Sequence, residues 1–269
     1  MRQVPLRTPA GKYNHATYEA LDNHHMTILD VRGKEEDYKL FTNGFEYIDK
    51  LELSGLIEHI QSQNIESKDK VKGFLAGLQG PICQMIKDTY NAKEVVVYAT
   101  RNKAMVPTEA ARAAKQTAVG IHSDYSPEAA NYMFKHMEVI HGDPVKFRES
   151  VEETGRWAFV HVWTPVSTMK FNHVAVADWT TVDENDTFAV GFKEPHPTDG
   201  CRHWKYNPKH TWHYKSHQKP GEFLLYTQYK SDVDGGMTLP HSGIAEPGVE
   251  KPASSTWNAG FEIRVAMAL

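Results

Sequence analysis

The chain has 269 residues, 40% hydrophobic and 24% charged, which suffices to bury a full core and excludes a disordered, collagen-like or disulfide-stapled protein. Thirty Lys and Arg against thirty-four Asp and Glu leave a formal net charge of −4, so no basic field exists for a phosphate backbone and nucleic acid is not an expected partner. The longest apolar runs fall far short of the roughly 20 residues of a membrane helix, and the first residues lack an apolar secretory core; with only Cys83 and Cys201 as thiols, a reduced, cytoplasmic protein is expected.

In chain order, Tyr13 to about Lys50 is polar and punctuated, as in an extended arm with short strands. Ile48 to Ile60 places apolar residues at near-helical spacing, and Lys70 to Tyr90 does so around a Gly-Pro interruption, which predicts two helices. Lys93 to Ala99 is a β-branched run with the bounds of a buried strand. Residues 128–153 carry a helical pattern. Arg156 to Asp178 reads as two strands about a Thr-Pro break, the first alternating at Trp157, Phe159, His161 and Trp163. Further short strands are predicted over Phe188–Phe192, Trp204–Tyr206, Thr211–Tyr214, Phe223–Tyr229 and Phe261–Ala268, separated by Pro, Gly, Asn and Asp. The expectation is a mainly β, α+β chain forming one domain over 1–269. An arm and helices over 1–90 would pack on a β core over 93–269, with a helical insert at 128–153.

Fifteen histidines against two cysteines point any metal chemistry towards N and O donors. The sharpest local feature is Gly120-Ile121-His122-Ser123-Asp124. On a strand, i and i+2 share a face, so His122 and Asp124 aim an imidazole and a carboxylate into one cavity. These are two members of a 2-His-1-carboxylate triad, whose three ligands leave one face of an octahedral Fe(II) open. By itself the pair is a weak signal, and a His and an Asp in a polar turn is the commoner origin of such a spacing. A third ligand must come from His161, His173, His196, His203, His210, His213, His217 or His241, among which spacing does not choose. His241 stands out in Leu239-Pro240-His241-Ser242-Gly243, between a β run and the closing strand.

Several segments, in order, carry a family resemblance: Asp30-Val31-Arg32-Gly33, Asn43-Gly44-Phe45-Glu46, the strand from Ala92 to Tyr98, and His122-Ser123-Asp124-Tyr125-Ser126-Pro127. Arg156-Trp157, Val162-Trp163-Thr164-Pro165, Asn207 to Trp212, Glu222 to Ser231, Pro240-His241-Ser242 and Phe261-Glu262-Ile263-Arg264 follow. Over most of its length the chain resembles the fungal and bacterial hydroxylase/desaturase family related to the small chain of the cephem 7α-methoxylase and to gibberellin-desaturase-like proteins. The resemblance implies a double-stranded β-helix (jelly-roll, cupin-like) core, and His122, Asp124 and His241 as ligands of Fe(II). It also implies oxidative tailoring of a small organic molecule with dioxygen, by hydroxylation, desaturation or ring formation in secondary metabolism, usually with 2-oxoglutarate.

Where that family carries basic residues, this chain has Thr164, Thr211, Thr227 and Asn258. The distal carboxylate of 2-oxoglutarate is normally held by a charge-assisted pair with Arg. Either Arg264, in the apolar closing strand, takes that role, or the co-substrate is absent and the organic substrate chelates the metal, as in a substrate-chelating oxidase or a redox-neutral isomerase or cyclase. A non-catalytic carrier of a small ligand is the third alternative. Trp163, Trp212 and Tyr229 are the candidate substrate-pocket residues.

Overall fold

The computed structural model describes residues 2–9, 21–55, 57, 68–103, 120–170, 173–190, 200–233, 236–244 and 260–269. Its strands are β1 (Arg2–Pro9), β2 (Leu21–Asp30), β3 (Phe45–Asp49), β4 (Glu94–Lys103), β5 (His122–Ser123), β6 (Trp157–Pro165), β7 (His173–Ala177), β8 (Thr187–Val190), β9 (Cys201–Trp204), β10 (Trp212–Tyr214), β11 (Glu222–Lys230), β12 (His241–Ile244) and β13 (Gly260–Ala268). The helices with described bounds are α1 (Lys68–Tyr90), α2 (Pro127–His136) and α3 (Pro144–Thr154).

Two sheets face each other, ordered β1-β2-β10-β7-β12-β5-β9-β8 and β3-β11-β6-β13-β4. Their centres are two antiparallel four-strand sets, β5-β12-β7-β10 and β4-β13-β6-β11. Counting those eight strands along the chain gives the orders 2-7-4-5 and 1-8-3-6, the interleaved winding of the expected double-stranded β-helix.

Side-chain alternation sorts the five-stranded sheet into two faces. Val160, Val162, Leu225, Ile263 and Val265 point outwards and pack on α1, whose Leu75, Leu78, Ile82 and Met85 recur at helical spacing. Trp163, Leu224 and Tyr226 point inwards and meet Val174 and Val176 of the other sheet. That sheet turns Ala175, Ala177, Trp204, Trp212 and Ile244 to its opposite face, where Ile28 of β2 and Tyr214 of β10 lie beside them. The aromatic cluster of Tyr98, Tyr125, Trp157, Phe159 and Tyr229 closes one end of the inter-sheet layer beneath α2 and α3.

Most predicted elements form, with three corrections. The helix expected over Ile48 to Ile60 starts late: Phe45–Asp49 pairs with β11 and Leu51–Leu53 makes a single 3-10 turn, so sheet pairing overrides local periodicity at that end, and the described residues that follow, Ser54, Gly55 and Ile57, are helical. The polar arm supplies one long strand, β2, which lies parallel to β10 and, with β1 before it, extends the larger sheet. The strand expected at Trp204–Tyr206 lies earlier, at Cys201–Trp204. His196 and Asn258 fall outside the described residues.

Candidate metal centre

Strand β5 ends after two residues because the chain turns into α2: Ser126 caps that helix by accepting from Ala129 N (3.2 Å), and Pro127 begins it. The turn holds His122 and Asp124 at the strand end. Between them Ser123 points the other way, its Oγ donating to Thr238 O (2.9 Å) and accepting from Trp204 Nε1 (2.9 Å). The Asp124 backbone N–H donates to Gln228 Oε1 (2.8 Å) on the facing sheet. His241 opens β12 directly opposite His122, with ring centroids 4.3 Å apart.

The donor atoms of His122, Asp124 and His241 lie within 4.8 Å of one another. Asp124 Oδ1 is 3.4 Å from His122 Nε2 and 3.8 Å from His241 Nε2. Neighbouring ligands on one ion, each bound at about 2.1 Å, stand about 3 Å apart, so small adjustments would close the set. Both imidazoles are oriented from behind. His122 Nδ1 lies 2.8 Å from Gly120 O, and His241 Nδ1 lies 3.2 Å from Leu239 O. A carbonyl oxygen only accepts, so each ring carries its proton on Nδ1 and presents the Nε2 lone pair to the centre, the second-sphere pattern of ligating histidines. The residues present fit a divalent metal with N and O preferences.

The other oxygen of Asp124 belongs to the facing sheet. Arg264 Nη2 donates to Oδ2 at 2.5 Å, and His161 Nδ1 lies 3.5 Å from it. Arg264 Nε donates to Glu262 Oε1 (2.7 Å), Nη1 donates to Tyr125 Oη (3.3 Å), and Tyr226 Oη donates to Glu262 Oε2 (2.6 Å). Burial raises the Asp124 pKa, but Arg264, with His122, His241 and His161, outweighs it and holds the carboxyl well below its usual range. Burial, reinforced by Arg264, lowers His161, so that ring is neutral. Asp124, His161 and Glu262 also approach within 4.8 Å, but the cation bridging those carboxylates is the arginine itself.

The remaining sequence candidates separate cleanly. Trp163 shares the inner face with His161, two positions along β6. Trp212 does not reach the cavity: it pairs with Ala177 on the opposite face of its sheet, fully buried beside Trp204 and Tyr214. Tyr229 is set by a bulge after Thr227 opposite Phe159 on the inner face and lies in the aromatic cluster, its ring 4.8 Å from Trp157 and its hydroxyl accepting from Asn131 Nδ2 (3.3 Å). Arg264 faces the cavity with three of its N–H donors engaged. Thr164 and Thr227 face the α1 side: Thr164 alternates with Val160 and Val162, and Thr227 Oγ1 donates to Leu40 O (3.3 Å). Thr211 Oγ1 lies 3.3 Å from Thr181 Oγ1 in a neighbouring turn. Of the other histidines, His203 pairs with His122 across β5 and β9, and burial, with His122 beside it, pulls its imidazole down to about 4. His213 sits against Tyr38 and Phe45, and His210 against Asp186. Sequence reading passed over Glu262 and Tyr226. The signal for Glu262 is its place two residues before Arg264, on one face of an otherwise apolar strand.

The hydroxylase/desaturase efuI of Hormonema carpetanum is 24% identical over 258 residues, covering 85% of this chain and 79% of that protein. The Fe(II)/2-oxoglutarate-dependent dioxygenase nvfI of Aspergillus novofumigatus is 23% identical over 238 residues, covering 86% and 78%. In fold, the chain superposes on the solved iron and alpha-ketoglutarate-dependent endoperoxidase NvfI with a TM-score of 0.75 at 19% identity, over 99% of this chain and 97% of that one. The family model described as YDMC, oxidoreductase/YMDC permease-like domain, matches residues 3–267. On that match, which spans nearly the whole sequence, the chain belongs to the YDMC oxidoreductase-like family.

Proposed function

We propose that the protein is a mononuclear non-heme iron oxygenase that tailors a small organic molecule with dioxygen, in secondary metabolism, with 2-oxoglutarate as co-substrate. The relatives' names supply the reaction class. The observation that carries the reading onto this chain is the convergence of two Nε2 lone pairs and one carboxylate oxygen, both imidazoles being turned by backbone carbonyls. His122, Asp124 and His241 would hold the iron, which, once bound with its co-substrate, supplies the activation of dioxygen for attack on a C–H bond. The chain's own part is to orient the ligands, keep His161 neutral beside them and enclose the reaction between two apolar layers. Trp163, on the inner face with His161, would border the substrate. Residues 1–269 are read as one such domain, acting in the cytoplasm; neither cysteine forms a disulfide, and among the described residues no helix is long and apolar enough to cross a membrane.

Thr164 and Thr227 look away from the cavity, so those two departures from the family pattern do not empty a co-substrate site. Arg264 is different: a guanidinium already facing two carboxylates has little charge left for a third. That commitment favours a second reading, in which the organic substrate chelates the metal and no 2-oxoglutarate is consumed.

Full-length protein reconstituted anaerobically with Fe(II) and titrated with 2-oxoglutarate separates the two. The first reading expects a visible charge-transfer band on titration and succinate released once air is admitted. A protein that holds iron, shows no band and oxidises substrate without succinate belongs to the second.

A further inference from the structure

Asp124 uses its two oxygens in opposite directions. Oδ1 faces the two imidazoles of one sheet, while Oδ2 is taken by Arg264 of the other at 2.5 Å. The guanidinium is itself fixed before it reaches Asp124. Glu262, on the same face two residues earlier, accepts from Nε at 2.7 Å, and Tyr226 Oη locks Glu262 at 2.6 Å from β11, reaching across the intervening β6. Tyr125, the residue after Asp124, accepts from Nη1, so Arg264 grips both ends of the Asp124-Tyr125 step. Arg264 and Glu262 are almost wholly buried, at 3% and 1% exposure. A purely structural ion pair would be complete with Glu262 alone, whereas here the remaining arm of the fork crosses the inter-sheet gap to the outer oxygen of the candidate ligand.

We infer that Arg264, aimed by Glu262 and Tyr226, is a positioning residue that occupies Asp124 Oδ2 so that the carboxylate meets a metal through Oδ1 alone. The inference rests on the reading of His122, Asp124 and His241 as a metal site, and deepens it. A carboxylate with both oxygens free can take two positions on an ion; one held by Arg264 takes one, and the position saved stays open to exchangeable ligands. Arg suits the task because its planar fork spans Glu262 and Asp124 with a fixed spacing that a Lys ammonium cannot reproduce.

The test uses Co(II) as the probe on the full chain, read by visible d–d absorption and by competition with a chromophoric chelator. The variants are Arg264→Lys, which keeps the charge, and the double variant Glu262→Gln with Arg264→Met, which removes both charges of the pair and so leaves no unpaired ion from it in the core. Melting curves of the metal-free proteins establish folding. The expected result is Co(II) affinity about 10–100-fold weaker in both variants, the usual range for loss of a partner that orients a ligand, with a changed band shape and intensity as Asp124 swings. Equal affinity with an unchanged Co(II) spectrum in either folded variant overturns the tether while leaving the metal site standing. A wild-type chain that binds no Co(II) overturns the metal site, and the tether with it.

Discussion

Asp124→Ala is expected to abolish turnover and to destabilise the protein. The substitution removes a ligand itself, so the loss should exceed the 10–100-fold that follows when an orienting partner is removed. The stability effect has a separate origin. Arg264 is 3% exposed and loses one of its two carboxylates, leaving a buried guanidinium facing Glu262 alone. Breaking a buried pair from one side costs about 3–5 kcal/mol, and the lower end applies here because Glu262 remains. Asp124→Asn should keep more of the stability, since its amide oxygen can still accept from Arg264 Nη2, yet lose most of the activity with the negative charge. Substrate-dependent oxygen uptake and thermal melts of the metal-free proteins separate the two effects. Full activity in Asp124→Ala would contradict the ligand role.

Lys215→Met is expected to produce the largest loss of stability without touching the metal centre. The Lys215 ammonium is fully buried in side-chain terms and lies 3.1 Å from Glu35, 3.2 Å from Asp49 and 3.1 Å from Glu222. Arg32 closes the group by donating to both oxygens of Glu222, at 2.9 and 3.0 Å. Together these residues tie the ends of β2 and β3 to β10 and β11, across both sheets. Removing the ammonium leaves a buried carboxylate held from one side only, about 3–5 kcal/mol and on the order of 10 °C in Tm for a chain of this size. The group is also acid-sensitive. Burial raises the Glu222 pKa, but hydrogen bonds from Arg32 and Lys219 and the charge of Lys215 bring it below the usual glutamate value. A depressed carboxylate contributes its stability in full above the unfolded pKa of about 4.3 and loses it as pH falls through the folded value. The gap in Tm between wild type and Lys215→Met should therefore hold between pH 7 and about pH 5 and narrow as pH falls below about 4.3; a gap that widens on acidification would contradict this reading.

The legible parts of this chain were those in which the period of the sequence and the demands of the fold coincide. β6 alternates Trp157, Phe159, His161 and Trp163 inwards against Val160 and Val162 outwards, and that strand was visible. α1 repeats Leu75, Leu78 and Ile82 at helical spacing, and it was visible too. Ile48 to Ile60 is legible only in its second half: the apolar spacing runs unbroken through a strand end, a 3-10 turn and the helical residues from Ser54, and only the pairing of Phe45–Asp49 with β11 shows where the helix cannot begin. Within the site, His122 and Asp124 were legible because a two-residue period places them together. His241 stood out only by its setting, since the partnership with His122 is a sheet register more than a hundred residues away in sequence. Trp212 shows the limit of aromatic content as a pocket signal, since register turns it to the opposite face, and Tyr229 shows how a bulge decides a face, since the one after Thr227 reverses the alternation and sets its ring beside Trp157 in the aromatic cluster. The grip of Arg264 on Asp124 was invisible because its two ends lie on different sheets.

Iron content after anaerobic reconstitution and desalting tests the metal centre most directly. Wild-type protein is predicted to retain one equivalent of Fe(II), and His122→Ala and His241→Ala to retain almost none while still melting cooperatively. Wild-type protein that keeps no iron, or a His241→Ala protein that keeps as much as wild type, would contradict the assignment of these three side chains to a single ion.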